Sequence, residues 1–160
     1  MEFDIRPAHL EDAAGLAEIL IQIGWFSALK DETPEQTRQR VARHLQMCLQ
    51  DDSHTLYVAA EVRTGRLLGY VAVHWLPYLI LSAPEGYVSE LFVHPQTRGA
   101  GVGLRLLESV QEEALRRGCC RLSLLNFRNR ESYQRGFYAK AGWEERPNAA
   151  NFVYLVTEKT

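Results

Sequence analysis

The stretch Arg98-Gly99-Ala100-Gly101-Val102-Gly103-Leu104 has residue types and spacing that can hold a phosphate. Three glycines stand at alternate positions behind a cation, and Leu106, Leu107, Val110, Ala114 and Leu115 follow at helical spacing. A glycine-rich turn entering a helix leaves the first N–H groups of that helix without intrahelical acceptors, and the helix dipole favours an anion there. Spacing separates the loops that use this device. A dinucleotide fingerprint G-x-G-x-x-G begun at Gly101 or Gly99 needs glycine where Leu106 or Leu104 stands. A Walker A loop needs a closing Gly-Lys-Ser/Thr, which the chain lacks. The pattern that fits is R-x-x-G-x-G, from Arg98 through Gly101 to Gly103. Three glycines in five residues exceed what a bare strand-to-helix turn requires.

The elements around the loop follow from periodicity. Tyr87 to Val93 reads as a strand, ended by His94-Pro95, because proline gives no N–H to a ladder and restricts the residue before it. The helix after the loop stops at Gly118, with Arg116 and Arg117 in its last turn, where cations suit the dipole. Earlier in the chain, Phe3–Pro7 predicts a short first strand, and Leu10–Ile23 a helix with Ala13, Leu16, Ala17, Leu20 and Ile21 on one face, broken by Gly24. Thr33-Pro34-Glu35-Gln36 starts a second helix that runs to about Gln50, with threonine as cap, proline at the first position and Gln36 completing a capping box. Thr55–Glu61 and Leu67–Trp75 form a hairpin about the turn Arg63-Thr-Gly-Arg66. Cys120–Leu125 and Phe152–Val156 read as later strands. Between Gly24 and Thr33, Trp25 and Phe26 are apolar in a loop, either as core plugs or as walls of a substrate pocket. The segment from Leu76 to Gly86 is either a loop over an acceptor site or a packed connection.

Composition narrows the class. A chain of 160 residues without repeat or linker is expected to be one domain, residues 1–160. A net charge of −2 gives no reason to expect nucleic acid as a partner. No run approaches the roughly 20 apolar residues of a membrane span, and no signal peptide is read at the start, so no membrane partner and a cytoplasmic location are expected. Cys48, Cys119 and Cys120 lack metal-ligand spacing and are expected to pack as small apolar residues, with no metal bound.

The Leu91-Phe92-Val93-His94-Pro95 run leading into R-x-x-G-x-G resembles the Gcn5-related N-acetyltransferase (GNAT) superfamily, in which this loop binds a pyrophosphate. A second stretch carries the same resemblance: Asn129, Ser132 three positions on, then Phe137-Tyr138 and Gly142-Trp143. Tyr138 stands nine residues after Asn129, where about seven is usual in the family, so Tyr133-Gln-Arg-Gly136 holds an extra pair that Gly136 is expected to absorb. The resemblance covers residues 86–143 well and the first half only in the order of its elements. It implies a mixed α/β (α+β) fold of the acyl-CoA N-acyltransferase type: a central, mostly antiparallel twisted sheet flanked by about four helices.

What the resemblance implies for activity is acetyl transfer from acetyl-CoA to a primary amine, by direct attack in a ternary complex. Gly99, Ala100, Gly101, Val102, Gly103 and Leu104 would offer N–H groups to the phosphates, with Arg98 adding charge. Leu91, Phe92 and Val93 would bind the pantetheine arm, one of their N–H groups polarising the thioester carbonyl, and Asn129 would hydrogen-bond the cofactor. Tyr138 is the expected general acid toward the thiolate, since a phenol of pKa ~10 stays protonated at neutral pH; Tyr133 is the second candidate. Glu90, placed by alternation on the face of Val88 and Phe92 and opposite Leu91 and Val93, is the acceptor-side carboxylate, able to bind an ammonium group or take its proton. His74 is the alternative base, and His94 reads as a turn residue. Glu90 with Trp25 and Phe26 suggests a small cationic amine with an apolar body, while peptide or protein amines stay open as acceptors. The resemblance also brings the expectation of a homodimer, which no residue here decides. Two other readings fit the loop: a non-catalytic acyl-CoA sensor on the same fold, and a nucleotide or phosphate binder.

Overall fold

The computed structural model describes residues 1–24 and 26–156, and Trp25 therefore lies outside the described residues. Two compact units divide the chain, Met1–Leu125 and Asn126–Thr160. The first holds a five-stranded sheet in the order β1 (Phe3–Pro7), β2 (His54–Glu61), β3 (Leu67–Leu76), β4 (Glu85–Val93), β5 (Arg121–Leu124). Neighbours are antiparallel except β4 and β5, which run parallel. A parallel pair needs a crossover, and α3 (Val102–Arg116) supplies it. The fold is thus mixed α/β with a mostly antiparallel sheet, as the family resemblance implies.

The helices are set by local chemistry that the sequence displays. α2 (Pro34–Cys48) begins with a reciprocal capping box: the Gln36 N–H donates to Thr33 Oγ1 at 3.2 Å, and the Thr33 N–H donates to Gln36 Oε1 at 2.8 Å. α1 (Ala13–Ile23) follows a 3-10 turn over Leu10–Asp12, where a single longer helix is expected. Of the expected stripe, Leu16 and Ala17 are buried and Ala13 and Leu20 pack partly buried against the core, while Ile19 and Ile23 are buried in addition and Ile21 is not. α1 packs against α2 as well as against the sheet, so it buries two sides rather than one.

α1 and α2 cover one face of the sheet, where Leu16, Ile19, Val41 and Leu45 join Leu56, Val58, Tyr70 and Ala72 in one cluster. α3 takes the other face through Val102, Leu106, Leu107 and Val110, against the side of β3 that carries Val71 and Val73. β-Strand alternation makes this division: Tyr70 and Ala72 point to one helix pair, Val71 and Val73 to the single helix.

Two buried carboxylates tie helices to strands and predict how the fold responds to acid. Asp12 accepts two 2.8 Å hydrogen bonds from Arg6 and one from the His9 N–H. Glu113 on α3 accepts from Arg116 and from Arg117, whose Nη1 also donates to the Asp52 carbonyl at 3.1 Å. The Arg6 guanidinium holds Asp12 below the usual carboxylate range, and Arg116 with Arg117 does the same for Glu113. A depressed folded value means stabilisation that is complete above the unfolded values near 4 and is lost as pH falls through the folded ones. Thermal unfolding followed from pH 7 to pH 3 should therefore show Tm falling below about pH 4. In Asp12→Asn and Glu113→Gln that decline should be shallower, from a lower starting Tm. Parallel curves for wild type and variants would show that these pairs do not carry the acid response.

One expectation differs in the rest of the chain, the strand over 152–156. The second unit has α4 (Glu131–Gln134) and α5 (Phe137–Lys140), two single turns separated by Gly136 at φ 67°. Gly136, the residue expected to absorb the surplus pair, has a left-handed conformation that glycine adopts without steric cost. Phe152–Val156 forms no strand, and all five side chains are exposed. Its composition favours extended chain, but a strand also requires a ladder partner, and none is made among the described residues. Leu79 and Ile80, at the tip of the connection between β3 and β4, are likewise exposed, so that tip is not a packed connection.

Candidate active site

The loop places its donors at the start of α3. Gly99 and Gly101 both have φ 81°, and a Cβ added at either would meet no atom within 4 Å. The glycines are therefore required by backbone conformation, and the space above them is open. Gly101 is the N-cap, and the first intrahelical bond runs from the Arg105 N–H to its carbonyl at 3.1 Å. The N–H groups of Val102, Gly103 and Leu104 consequently have no intrahelical acceptor. Ala100 differs from the sequence expectation: its N–H is donated to the Thr97 carbonyl at 3.4 Å. Arg98 opens the loop as an exposed residue. A fixed set of donors at a helix N-terminus, beside a cation and with open space above, fits an anionic diphosphate such as that of acetyl-CoA.

β4 leads into this loop with one edge unpaired beyond Val88 among the described residues. Its parallel ladder with β5 ends at Val88↔Leu124, while its antiparallel ladder with β3 continues through Leu91, Phe92 and Val93. The His94 N–H donates to the Leu68 carbonyl at 2.8 Å. Alternation then turns the N–H groups of Phe92 and Glu90 toward β3 and those of Leu91 and Val93 toward the edge that β5 has left. Of the three residues from which one N–H is expected to polarise the thioester carbonyl, Leu91 and Val93 direct theirs to that edge and Phe92 directs its own to β3.

A β-bulge corrects the placement of Val88 relative to Glu90. The β3/β4 register shifts between Ala72 and Val73, so that Ala72 faces Glu90, Val73 faces Val88, and Ser89 is the extra residue. Glu90 shares a face with Phe92 and lies opposite Leu91 and Val93, as alternation predicts. Val88 instead is buried on the α3 side, because the bulge reverses the alternation between it and Glu90. Glu90 is exposed on the α1/α2 face and accepts a 2.9 Å hydrogen bond from the Tyr70 hydroxyl. Tyr70 escaped the sequence reading, since its partner is 20 residues away and only the strand register brings the two together.

The same face carries Phe26 and His74. Phe26 stands edge-on to Phe92 with ring centroids 5.1 Å apart, and Phe92 lies 5.8 Å from Tyr70. Phe26 is half-buried and packs against the core cluster. His74 Nε2 lies 2.9 Å from Ser89 Oγ, and its ring contacts His54 at 4.4 Å. Burial, and then the neighbouring His54, push the His74 imidazole below its ordinary value, leaving it neutral and able to accept a proton at physiological pH. His94 is buried in a turn, where its Nδ1 accepts the Gln96 N–H.

Asn129 and Tyr138 belong to the second unit. Asn129 is exposed in the turn before α4. Ser132, which keeps the family spacing from Asn129, donates instead to Asn126 Oδ1 at 3.2 Å. Asn126 Nδ2 is buried and has no partner among the described residues, a second feature that residue spacing did not reveal. Tyr138 is half-buried, its ring 4.9 Å from Phe137 and 6.2 Å from Trp143. Burial pushes its phenol up to about 12. Tyr133 donates its hydroxyl to Glu145 Oε2 at 2.8 Å, which commits it to a carboxylate within the unit.

A mixed sheet with a bulged, half-open strand β4 feeding a glycine-rich helix N-terminus defines an acyltransferase class of domain. Residues 22–143 match the Acetyltransferase (GNAT) family, and the chain belongs to that family. It is 29% identical over 147 residues to glucosamine 6-phosphate N-acetyltransferase 1 of Oryza sativa subsp. japonica, covering 90% of this chain and 82% of the relative. A solved structure described as a transcriptional regulator from Bacillus halodurans C-125 superposes with a TM-score of 0.81 at 22% identity, covering 96% of this chain and all of the other. Glucosamine-6-phosphate N-acetyltransferase from Arabidopsis thaliana superposes with a TM-score of 0.71 at 20% identity, covering 96% of this chain and 99% of the other. The two superpositions establish the shared fold.

Proposed function

We propose that this chain is an N-acetyltransferase that moves acetyl from acetyl-CoA to the primary amine of a small cationic acceptor. The observation that carries the reading is β4 itself: exposed Glu90, the edge-facing N–H groups of Leu91 and Val93, and the α3 donors follow one another along a single run of chain. Acetyl-CoA supplies a thioester whose carbonyl carbon bonds to the amine nitrogen as the C–S bond breaks and the thiolate departs with the electron pair. The α3 N-terminus with Arg98 holds the diphosphate, and an N–H of Leu91 or Val93 donates to the thioester oxygen as charge develops there. Glu90 attracts the ammonium form and draws its proton away, directly or through water. Tyr138 returns a proton to the thiolate, its buried phenol being held in the acid form. The name of the Oryza sativa relative, a glucosamine 6-phosphate N-acetyltransferase, supports an amine acceptor of metabolite size.

Thermal unfolding with acetyl-CoA, ATP and NAD, each added separately, tests the cofactor. At 100 times its dissociation constant a ligand adds about 2.7 kcal/mol to the folded state, and acetyl-CoA alone should do so. Stabilisation by ATP or NAD without acetyl-CoA would overturn the reading. On the acceptor side, Glu90→Gln should lower kcat/KM for the amine by about ten- to a hundredfold, with acetyl-CoA stabilisation intact. Unchanged activity on every amine tried would remove Glu90 from the mechanism.

A further inference from the structure

Glu90 is an exposed carboxylate on a flexible stem, and water alone would let it sample many positions. Its surroundings restrict it. The Tyr70 ring is buried, with 3% of its surface exposed, and is wedged beside Phe92 so that its hydroxyl has one direction to point. That hydroxyl donates to Glu90 Oε2 at 2.9 Å. Arg40 on α2 feels the charge of Glu90 but is engaged elsewhere: its Nε and Nη2 donate to the Glu32 carboxylate at 2.9 and 3.0 Å. The carboxylate is therefore held by the neutral Tyr70 hydroxyl, while the nearby guanidinium is committed to Glu32.

We propose that Tyr70 is the positioning residue of the acceptor side, fixing Glu90 through Oε2 so that Oε1 is presented to the incoming ammonium group. This rests on the acceptor role given to Glu90 above. Burial, then the Glu90 charge and the hydrogen bond itself, push the Tyr70 phenol well above its ordinary value, so it remains a donor throughout the working pH range. The ring contributes packing and the hydroxyl contributes placement, and the two can be separated because phenylalanine retains the first.

The test is a double-mutant cycle on the full chain with acetyl-CoA and a reactive amine, using Tyr70→Phe, Glu90→Gln and the pair. Tyr70→Phe should lower kcat/KM for the amine about tenfold, the order expected for losing a hydrogen bond to a charged group, and leave KM for acetyl-CoA unchanged. Added to Glu90→Gln, it should change kcat/KM by less than about twofold, because the group it positions is already gone. Independent, multiplicative losses in the pair would overturn the proposal and leave Tyr70 a packing residue. So would loss of activity in Glu90→Gln without loss in Tyr70→Phe, an outcome that spares the role of Glu90. Full activity of Glu90→Gln would overturn both.

Discussion

Replacing Tyr138 by phenylalanine is expected to lower kcat by a factor of about 10²–10⁴ while leaving acetyl-CoA stabilisation in place, since general acid catalysis typically contributes that much. Phenylalanine keeps the ring contacts to Phe137 and Trp143 and removes only the hydroxyl. The chemistry favours Tyr138 over Tyr133 for a reason specific to this chain. Tyr133 already donates to Glu145, whereas no acceptor for the Tyr138 hydroxyl is made among the described residues, and desolvation is the cause of its shift. Tyr133→Phe is thus the control, expected to keep turnover within about threefold of wild type. The pH profile adds a second readout. With its phenol pushed up to about 12, Tyr138 stays protonated through the whole stable range, so the alkaline limb of kcat should not move toward neutrality on its account. Wild-type turnover in Tyr138→Phe would remove Tyr138 as the general acid, whereas acetyl-CoA stabilisation of the wild type with no turnover on any amine would favour a binding module that holds acyl-CoA.

The parts of the site that were legible in the sequence are those in which residue type and local conformation are the same fact. Glycine at positions 99 and 101 is readable because a positive φ admits little else, and Thr33 with Gln36 is readable because a capping box closes within four residues. The illegible parts depend on partners distant in the chain. Ser89 carries no mark of a bulge, and strict alternation through it puts Val88 on the wrong face. The Tyr70–Glu90 bond exists only once β3 and β4 are in register. Phe152–Val156 shows the opposite failure: strand propensity was present and a partner edge was not. Propensity says what a segment can become, while pairing decides it.

The second large effect concerns Gly101. Gly101→Val should abolish acetyl-CoA stabilisation at concentrations that saturate wild type, and turnover with it. Two causes act together. A β-branched residue at φ 81° is strained by about 1–3 kcal/mol, and any relaxation moves the N–H groups that α3 presents. The new side chain also enters space that no protein atom occupies, the space over the helix N-terminus where a diphosphate would lie. Strain alone can be measured at Gly65, in the turn between β2 and β3, which has φ 71° and equally open surroundings. Gly65→Val should lower Tm by a similar amount, since the backbone cost is alike, yet retain the full acetyl-CoA shift. If both variants lose stability and both keep that shift, the glycines serve the turn alone and the phosphate cradle is elsewhere. If only Gly101→Val loses it, the binding defect follows from position and not from destabilisation, and the loop at the head of α3 is the anchor on which the other assignments depend.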